Sequence, residues 1–229
     1  MNQKDWWDAR FKDDKKIISQ GGQVEIAKIL TDKLWIKDVK DFEKIIATVG
    51  CKVLDLGCGL GQLSCYFEKL GFDVTSSDFS ENALAILKSY SPNIKALAHD
   101  MTKPLPFSNT SFDIVIANLS LHYFNHKDTR NAICEIKRVL KSSGLLIGSV
   151  VSTDEYEVVK HKLKFKEVEP NFYHELFDAG IVKHIRFFDR KDVDDYFAGF
   201  EFLHLENKFT QRMGKVKGAW EFIMRKGIK

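Results

Sequence analysis

Val53-Leu54-Asp55-Leu56-Gly57-Cys58-Gly59-Leu60-Gly61 runs from a short apolar strand into an acid, and then into three glycines that alternate with other residues. Glycine lets a backbone turn tightly and approach a ligand with no Cβ in the way. Twenty-one residues after Gly57, Asp78 closes a second apolar stretch. A bare glycine loop followed by a carboxylate at that distance suits a ribose-bearing ligand. The loop would lie beneath the ligand, and the acid would accept from its two hydroxyls.

Strands and helices alternate outward from this loop. Residues 51–55 predict a strand, 60–70 a helix and 72–77 a second strand. Ser80 reads as the N-cap of a helix with Ala83, Leu84 and Leu87 on one face. Residues 94–98 predict a third strand. Ile114-Val115-Ile116-Ala117, behind Asp113, is a continuous apolar run that suits a strand buried on both faces of a parallel sheet. Ile133, Ile136, Val139 and Leu140 mark an amphipathic helix that Ser142-Ser143-Gly144 would stop, and 145–151 follow as a strand. Residues 152–198 break the rhythm, being charged, aromatic and irregular. Residues 200–205 and 219–224 close the chain as a hairpin-like pair. The first 50 residues read as helical, with Val24, Ala27, Leu30 and Leu34 at helical spacing. The alternation predicts a doubly wound α/β sheet, whose ligands bind at the carboxyl ends of the strands near the switch in strand order.

The bulk properties exclude several classes. The chain has 229 residues, 44% of them hydrophobic, which allows one domain with a substantial core. Lys and Arg number 35 against 32 Asp and Glu, a net charge of +3 that is too even to argue for nucleic acid. Cys51, Cys58, Cys65 and Cys134 form no Cys-x-x-Cys pair, and no histidine stands at zinc-ligand spacing to them, so no metal is expected. The three near the glycine segment are expected to be small buried residues, and a reducing cytoplasm is the expected compartment. The N-terminus, with Trp6, Trp7 and charges, is unlike a signal peptide, and no apolar run approaches membrane-spanning length.

A dinucleotide fingerprint requires Gly-x-Gly-x-x-Gly, and Gln62 stands where its last glycine belongs. The order here is Asp-x-Gly-x-Gly-x-Gly. Combined with Asp78, Asp100 and the segment from Asp113 to Phe124, it closely resembles the class I S-adenosylmethionine-dependent methyltransferases. The resemblance covers roughly residues 45–151 well and the last two strands more loosely. It implies a Rossmann-like seven-stranded sheet, mostly parallel with an antiparallel last strand, in one domain over 1–229. The expected parts are an N-terminal helical cover (1–45), a cofactor core (46–151), a lid-like insertion between the fifth and sixth strands (152–198) and the last two strands (199–229).

The cofactor implied by the resemblance is S-adenosylmethionine. Gly57, Gly59 and Gly61 would pack under its methionine portion, and Asp55 resembles the acid whose surroundings hold its amino group. Asp78 matches the acid that binds the ribose hydroxyls, and the adjacent Phe79 resembles the apolar residue against the adenine. Asp100-Met101 matches the pair whose carboxylate and backbone N–H meet the adenine edge. Asn118 opens the segment Asn118-Leu119-Ser120-Leu121-His122-Tyr123-Phe124, which would border cofactor and acceptor. His122 is the candidate general base, since its unperturbed pKa lies near neutrality; hydrogen-bonding the loop is its other reading. Tyr123 either lines the acceptor pocket or packs beneath it. Asp78 alternatively caps a helix, Asp100 stabilises the turn before Pro104, and Phe79 is ordinary core.

Two segments outside this core would encode the acceptor. Residues 5–22 carry Trp6, Trp7, Arg10, Phe11 and Gln20-Gly21-Gly22. In them Arg10 could pair with the cofactor carboxylate, while the tryptophans read first as core anchors. The insertion carries Phe165, Phe172, Tyr173, His174, Phe177, Phe187, Phe188 and Tyr196, an aromatic set that suits a lid over a small organic acceptor, with His174 a contact candidate. The alternative is a helical appendage on the sheet edge. The pattern is most similar to small-molecule methyltransferases of the tellurite-resistance and ubiquinone/menaquinone-biosynthesis type. An RNA or protein acceptor is the alternative, favoured by the enrichment of Lys and Arg between Arg212 and Lys229, but the Pro-Pro-Tyr or Pro-Pro-Phe pattern of amino-methylating nucleic-acid enzymes is absent after Asn118. A module that binds the cofactor without chemistry is the rival from another class.

Overall fold

The computed structural model describes residues 7–9, 11, 34–47, 49–161, 164–176, 182–212 and 215–227. A 3-10 turn (Trp35–Asp38) and α1 (Phe42–Ile46) lead into β1 (Lys52–Leu56), α2 (Gln62–Lys69), β2 (Asp73–Asp78), α3 (Glu81–Tyr90) and β3 (Lys95–Ala98). After a loop come β4 (Phe112–Asn118), a 3-10 turn (Leu121–Tyr123), α4 (His126–Val139) and β5 (Leu140–Val151). Then follow α5 (Thr153–Val159), β6 (Phe165–Glu169), β7 (Phe172–Leu176), β8 (Val182–Arg186), α6 (Arg190–Tyr196), β9 (Phe200–Arg212) and β10 (Lys215–Lys226).

Seven strands form one sheet in the order β3-β2-β1-β4-β5-β10-β9. β1 pairs in parallel with both β2 and β4, and β10 runs antiparallel to β5 and β9. The chain winds from β1 out to β3 and then returns to place β4 on the other side of β1. The switch in order therefore falls between β1 and β4, where a doubly wound sheet opens its ligand crevice.

The apolar run of β4 is buried on both faces, as its composition requires. Ile114 and Ile116 join a core with Leu63, Phe67, Leu87 and Trp35, while Val115 and Ala117 join the opposite core with Ile133, Ile136, Phe188 and Phe222. Side-chain caps start the helices at the carboxyl edge. Ser80 accepts from the Ala83 N–H, and Asn125 accepts from the Asp128 N–H.

Several boundaries differ from the sequence reading. α2 begins at Gln62, because Leu60 and Gly61 belong to the loop. The helix expected to stop at Ser142-Ser143-Gly144 ends at Val139, and β5 starts at once. Ser143 takes a left-handed φ of 60° inside that strand. β9 and β10 are long ribbons, well beyond the short pair expected. The insertion is neither irregular nor a helical appendage: β6, β7 and β8 form a separate antiparallel three-stranded sheet. Tyr156, Phe165, Tyr173 and Phe187 pack into its apolar side, whereas Phe188, Val193 and Tyr196 belong to the main core. Of the cysteines near the loop only Cys65 is buried; Cys58 is half-buried and Cys51 exposed, which corrects that expectation. Trp6, Arg10, Gln20-Gly21-Gly22, Val24, Ala27, Leu30 and Phe177 lie outside the described residues. Among the described residues no helix is long and apolar enough to cross a membrane.

Candidate active site

The loop after β1 is sewn to the end of β2. The Ser77 carbonyl accepts from the Gly57 N–H at 2.7 Å and the Cys58 N–H at 3.0 Å. Asp78 then accepts from the Gly59 N–H at 2.8 Å through Oδ2 and from the Ser80 N–H at 2.9 Å through Oδ1. Gly57, Gly59 and Gly61 all have positive φ, at 68°, 54° and 73°. A Cβ on Gly57 would sit 2.5 Å from Ser120 Cβ and 2.9 Å from Met101 Cε, so only glycine fits between the loop and the end of β4. An ionised carboxylate has about four acceptor sites. Asp78 commits one to the loop and one to the Ser80 N–H, and keeps acceptor capacity for paired hydroxyls. Burial raises its pKa, against the bonds from Ser80 and Gly59.

Asp55 lies below the loop and is buried. Its Oδ2 accepts from Ser64 Oγ at 2.6 Å, and Ser64 accepts from Ser76 Oγ at 2.7 Å. Burial pushes Asp55 up to about 7, with the Ser64 bond opposing and the Asp78 charge adding. Desolvation is the dominant cause, the situation that a cationic amine would relieve.

At the end of β4, Asn118 is half-buried and its Oδ1 accepts from both Trp35 Nε1 and Ser149 Oγ. Leu119 has a left-handed φ of 52°, a strain of about 1–2 kcal/mol for a branched residue, which turns the chain sharply away from the sheet. Ser120 Oγ is buried beside Gly57 and has no hydrogen-bond partner among the described residues. His122 is buried with its ring 4.0 Å from that of Tyr123. Burial, with the Glu155, Glu175 and Asp78 charges, raises the Tyr123 pKa, so the phenol stays a hydrogen-bond donor.

The remaining expected residues are distributed unevenly. Phe79 is half-buried beside Asp78 and joins none of the apolar core clusters. Met101 reaches the Gly57 wall. Asp100 is exposed and uses Oδ1 to accept from the Thr102 N–H and hydroxyl, so the turn reading holds for that oxygen. His174 is not brought to the cleft. It stacks on His184 at 4.5 Å beside Phe172, on the face of the small sheet opposite Tyr173 and Glu175.

Other residues occupy the places that sequence reasoning left open. Lys183 lies 5.7 Å over the Tyr123 ring and 3.6 Å from the Glu175 carboxylate. Their spacing of two residues from Tyr173 and Ile185, which puts all four on one face, was the available signal. Trp7, read first as a core anchor, stacks on Phe11 and meets the edge of Tyr123, both at 5.5 Å. Phe11 comes within 3.6 Å of a Cβ position on Gly59. Asp8 accepts from Ser80 Oγ at the start of α3. The N-terminal segment thus covers the glycine loop, and the insertion supplies charged groups on the far side.

Residues 54–148 match the model of a methyltransferase domain family. TehB of Haemophilus influenzae, a probable S-adenosyl-L-methionine-dependent methyltransferase, is 35% identical over 123 residues, which are 52% of this chain and 42% of the relative. The demethylmenaquinone methyltransferase of Paenarthrobacter aurescens is 35% identical over 124 residues, covering 52% and 48%. The chain therefore spans less than half the length of these relatives. A solved SAM-dependent methyltransferase from Methanosarcina mazei superposes with a TM-score of 0.65 at 18% identity, over 78% of this chain and 93% of that one. The matched segment begins in β1 and ends in β5, and so contains the loop, Asp78 and Asn118. In fold, loop and sequence, residues 54–148 carry a methyltransferase domain similar to those of the S-adenosylmethionine-dependent methyltransferases.

Proposed function

We propose that the protein catalyses methyl transfer from S-adenosylmethionine to a small-molecule acceptor. The observation that carries the reading is the convergence of Gly59 and Asp78, 2.8 Å apart at the switch point of the sheet. When bound, the cofactor would supply an electrophilic methyl group on a sulfonium: the acceptor's nucleophile bonds to the methyl carbon in line as the carbon–sulfur bond breaks, and the electron pair stays on sulfur, which leaves as a neutral thioether.

The protein's own work is to position and to exclude water. Gly57, Gly59 and Gly61 give a floor without side chains. Asp78 accepts from the ribose, Asp55 offsets the amino group, and Phe79, Asp100 and Met101 border the base. Trp7 and Tyr123 form an aromatic wall beside that position, and Tyr123 offers a phenolic donor to the acceptor. Glu175 and Lys183 make the wall polar on the insertion side. His122 lies one residue from Tyr123 and is the group that would take a proton from an oxygen or nitrogen acceptor. The name of one relative, the demethylmenaquinone methyltransferase, supports an acceptor of that size.

Titration calorimetry with S-adenosylhomocysteine tests the reading. Wild-type protein should bind at micromolar levels or better. Asp78→Ala should weaken binding by about 1.5–3 kcal/mol, the usual cost of losing hydrogen bonds to a charged group. No binding by the wild type, or full affinity in the variant, would remove the foundation of the proposal. Release of S-adenosylhomocysteine from S-adenosylmethionine in a metabolite pool then separates an enzyme from a binding module.

A further inference from the structure

Trp35 was not among the expected site residues, yet it bonds to one of them. The indole N–H donates to Asn118 Oδ1 at 3.1 Å, and Ser149 Oγ donates to the same oxygen at 2.7 Å. An indole nitrogen can only donate. The Asn118 atom facing it must therefore be oxygen, which fixes the orientation of the carboxamide on chemical grounds. Trp35 and Ser149 are both buried, so these two donors leave the amide little freedom.

The consequence lies at the other end of the amide. Among the described residues, the Asn118 Nδ2 group makes no hydrogen bond, and Asn118 is itself half-buried rather than sealed in. Two N–H donors thus stand at the carboxyl end of β4. The register gives their place. Asp55 pairs with Ile116, so Asn118 lies two residues beyond the partner of Asp55, at the carboxyl end where β1 gives way to the glycine loop. Asp55, Ile116 and Asn118 share one face of the sheet. A carboxylate and a pair of N–H donors consequently stand on the same side of the glycine loop, one strand apart. This is the complement of an amino acid end, with an ammonium toward Asp55 and a carboxylate toward Asn118.

We propose that Asn118 donates to the carboxylate of the cofactor's methionine moiety, and that Trp35 and Ser149 are positioning residues that hold its amide in the donating orientation. Trp35 also stacks on His204, with ring centroids 6.0 Å apart. The N-terminal segment therefore reaches the cofactor site through a hydrogen bond as well as through packing. The proposal rests on the cofactor reading above and adds to it a route by which residues far from the glycine motif set cofactor affinity.

The test compares two ligands. S-adenosylhomocysteine carries the amino acid end; 5′-methylthioadenosine keeps the adenosine and sulfur and lacks it. Trp35→Phe keeps an aromatic ring on His204 and removes the N–H together with the five-membered part of the indole. Ser149→Ala removes the second donor. Asn118→Asp keeps both accepted bonds and replaces the outward donors by a carboxylate oxygen. By calorimetry, S-adenosylhomocysteine affinity should fall about five- to tenfold in Trp35→Phe and Ser149→Ala, and about 30-fold or more in Asn118→Asp. Methylthioadenosine affinity should stay within about twofold in all three. Parallel weakening of both ligands would mean the bonds merely hold the fold, and unchanged affinity for both would mean Asn118 does not meet the carboxylate; either result overturns the proposal. If Trp35→Phe fails to fold, Ser149→Ala and Asn118→Asp carry the same comparison. Wild-type protein that binds neither ligand overturns the cofactor reading itself, a result distinct from the selective patterns.

Discussion

Asp55→Asn should make the protein's stability much less dependent on pH. An unperturbed aspartate titrates near about 3.9, whereas burial holds Asp55 at about 7. Between about pH 4 and pH 7 the folded chain therefore keeps a proton that the unfolded chain has released. The unfolded state binds fewer protons in this window, so stability falls as pH rises through it. The separation is about three in pKa. At about 1.4 kcal/mol for each, the loss is about 4 kcal/mol, complete above about pH 7 and absent below about pH 4. For a chain of this size that corresponds to roughly 10 °C in melting temperature.

Asparagine is the informative replacement because its oxygen still accepts from Ser64 Oγ, the 2.6 Å bond in the wild type. Other carboxylates titrate in both proteins, and the difference between them isolates position 55. Urea unfolding without cofactor, at steps from about pH 4.5 to about pH 8.5, gives that difference once equal m-values are established. Asp55→Asn should gain on the wild type by about 3 kcal/mol across the series. A gap that stays constant with pH would refute the reasoning, since it would mean that Asp55 is ionised throughout at no cost.

Three further outcomes follow from the same geometry. Gly57→Ala should destabilise by about 2–5 kcal/mol, combining a left-handed φ of 68° with the clash against Ser120, and should abolish S-adenosylhomocysteine binding; urea unfolding and calorimetry check the two parts. Arg138 donates to the Phe107 and Leu105 carbonyls at 2.7 and 2.9 Å and pairs with Glu135. Arg138→Ala should therefore cost about 1–3 kcal/mol by denaturant unfolding, and a loss near zero would show that water replaces those bonds. The Asp8 charge helps to raise Asp78. Asp8→Asn should lower the pH at which S-adenosylhomocysteine affinity is lost on acidification, and an unshifted profile would separate the two carboxylates.

The central sheet was legible because its signals are local. The apolar run of β4 and the caps at Ser80 and Asn125 each depend on a few neighbouring residues. The bend at Gly57–Gly61 was legible for the same reason, and Asp78 because the distance from loop to acid is set by one helix and one strand. The insertion was not legible. β6 reads Phe165-Lys166-Glu167-Val168-Glu169, which is mostly polar and exposed, and its pairing with β7 carries a register shift between Glu167 and Glu169. Such a strand lacks the clean alternation that reveals one buried face. His174 was a reasonable choice by composition, but position parity puts Glu175 toward Tyr123 and His174 on the other side. Trp35 gave no signal, since nothing in its neighbours announces a bond to a residue 83 positions away.

The two halves of the cleft are held by different physics, and this bears on how such a chain changes its acceptor. The cofactor half stands on parallel strand ends, where the Ser77 carbonyl and the Asp78 carboxylate accept from loop N–H groups. A change there disturbs the sheet and the ligand together. The proposed acceptor half is assembled from side chains on separate segments. Trp7 meets Tyr123 by a ring edge, and Lys183 meets it by a cation over its face. Exposed or half-exposed contacts of this kind are worth about 0.5–1.5 kcal/mol each. They can be exchanged without loss of the fold, whereas Gly57 cannot. Selection for a new acceptor would accordingly act on the N-terminal segment and the small sheet, while the row from Gly57 through Asn118 to Ser149 stays constrained by its double duty.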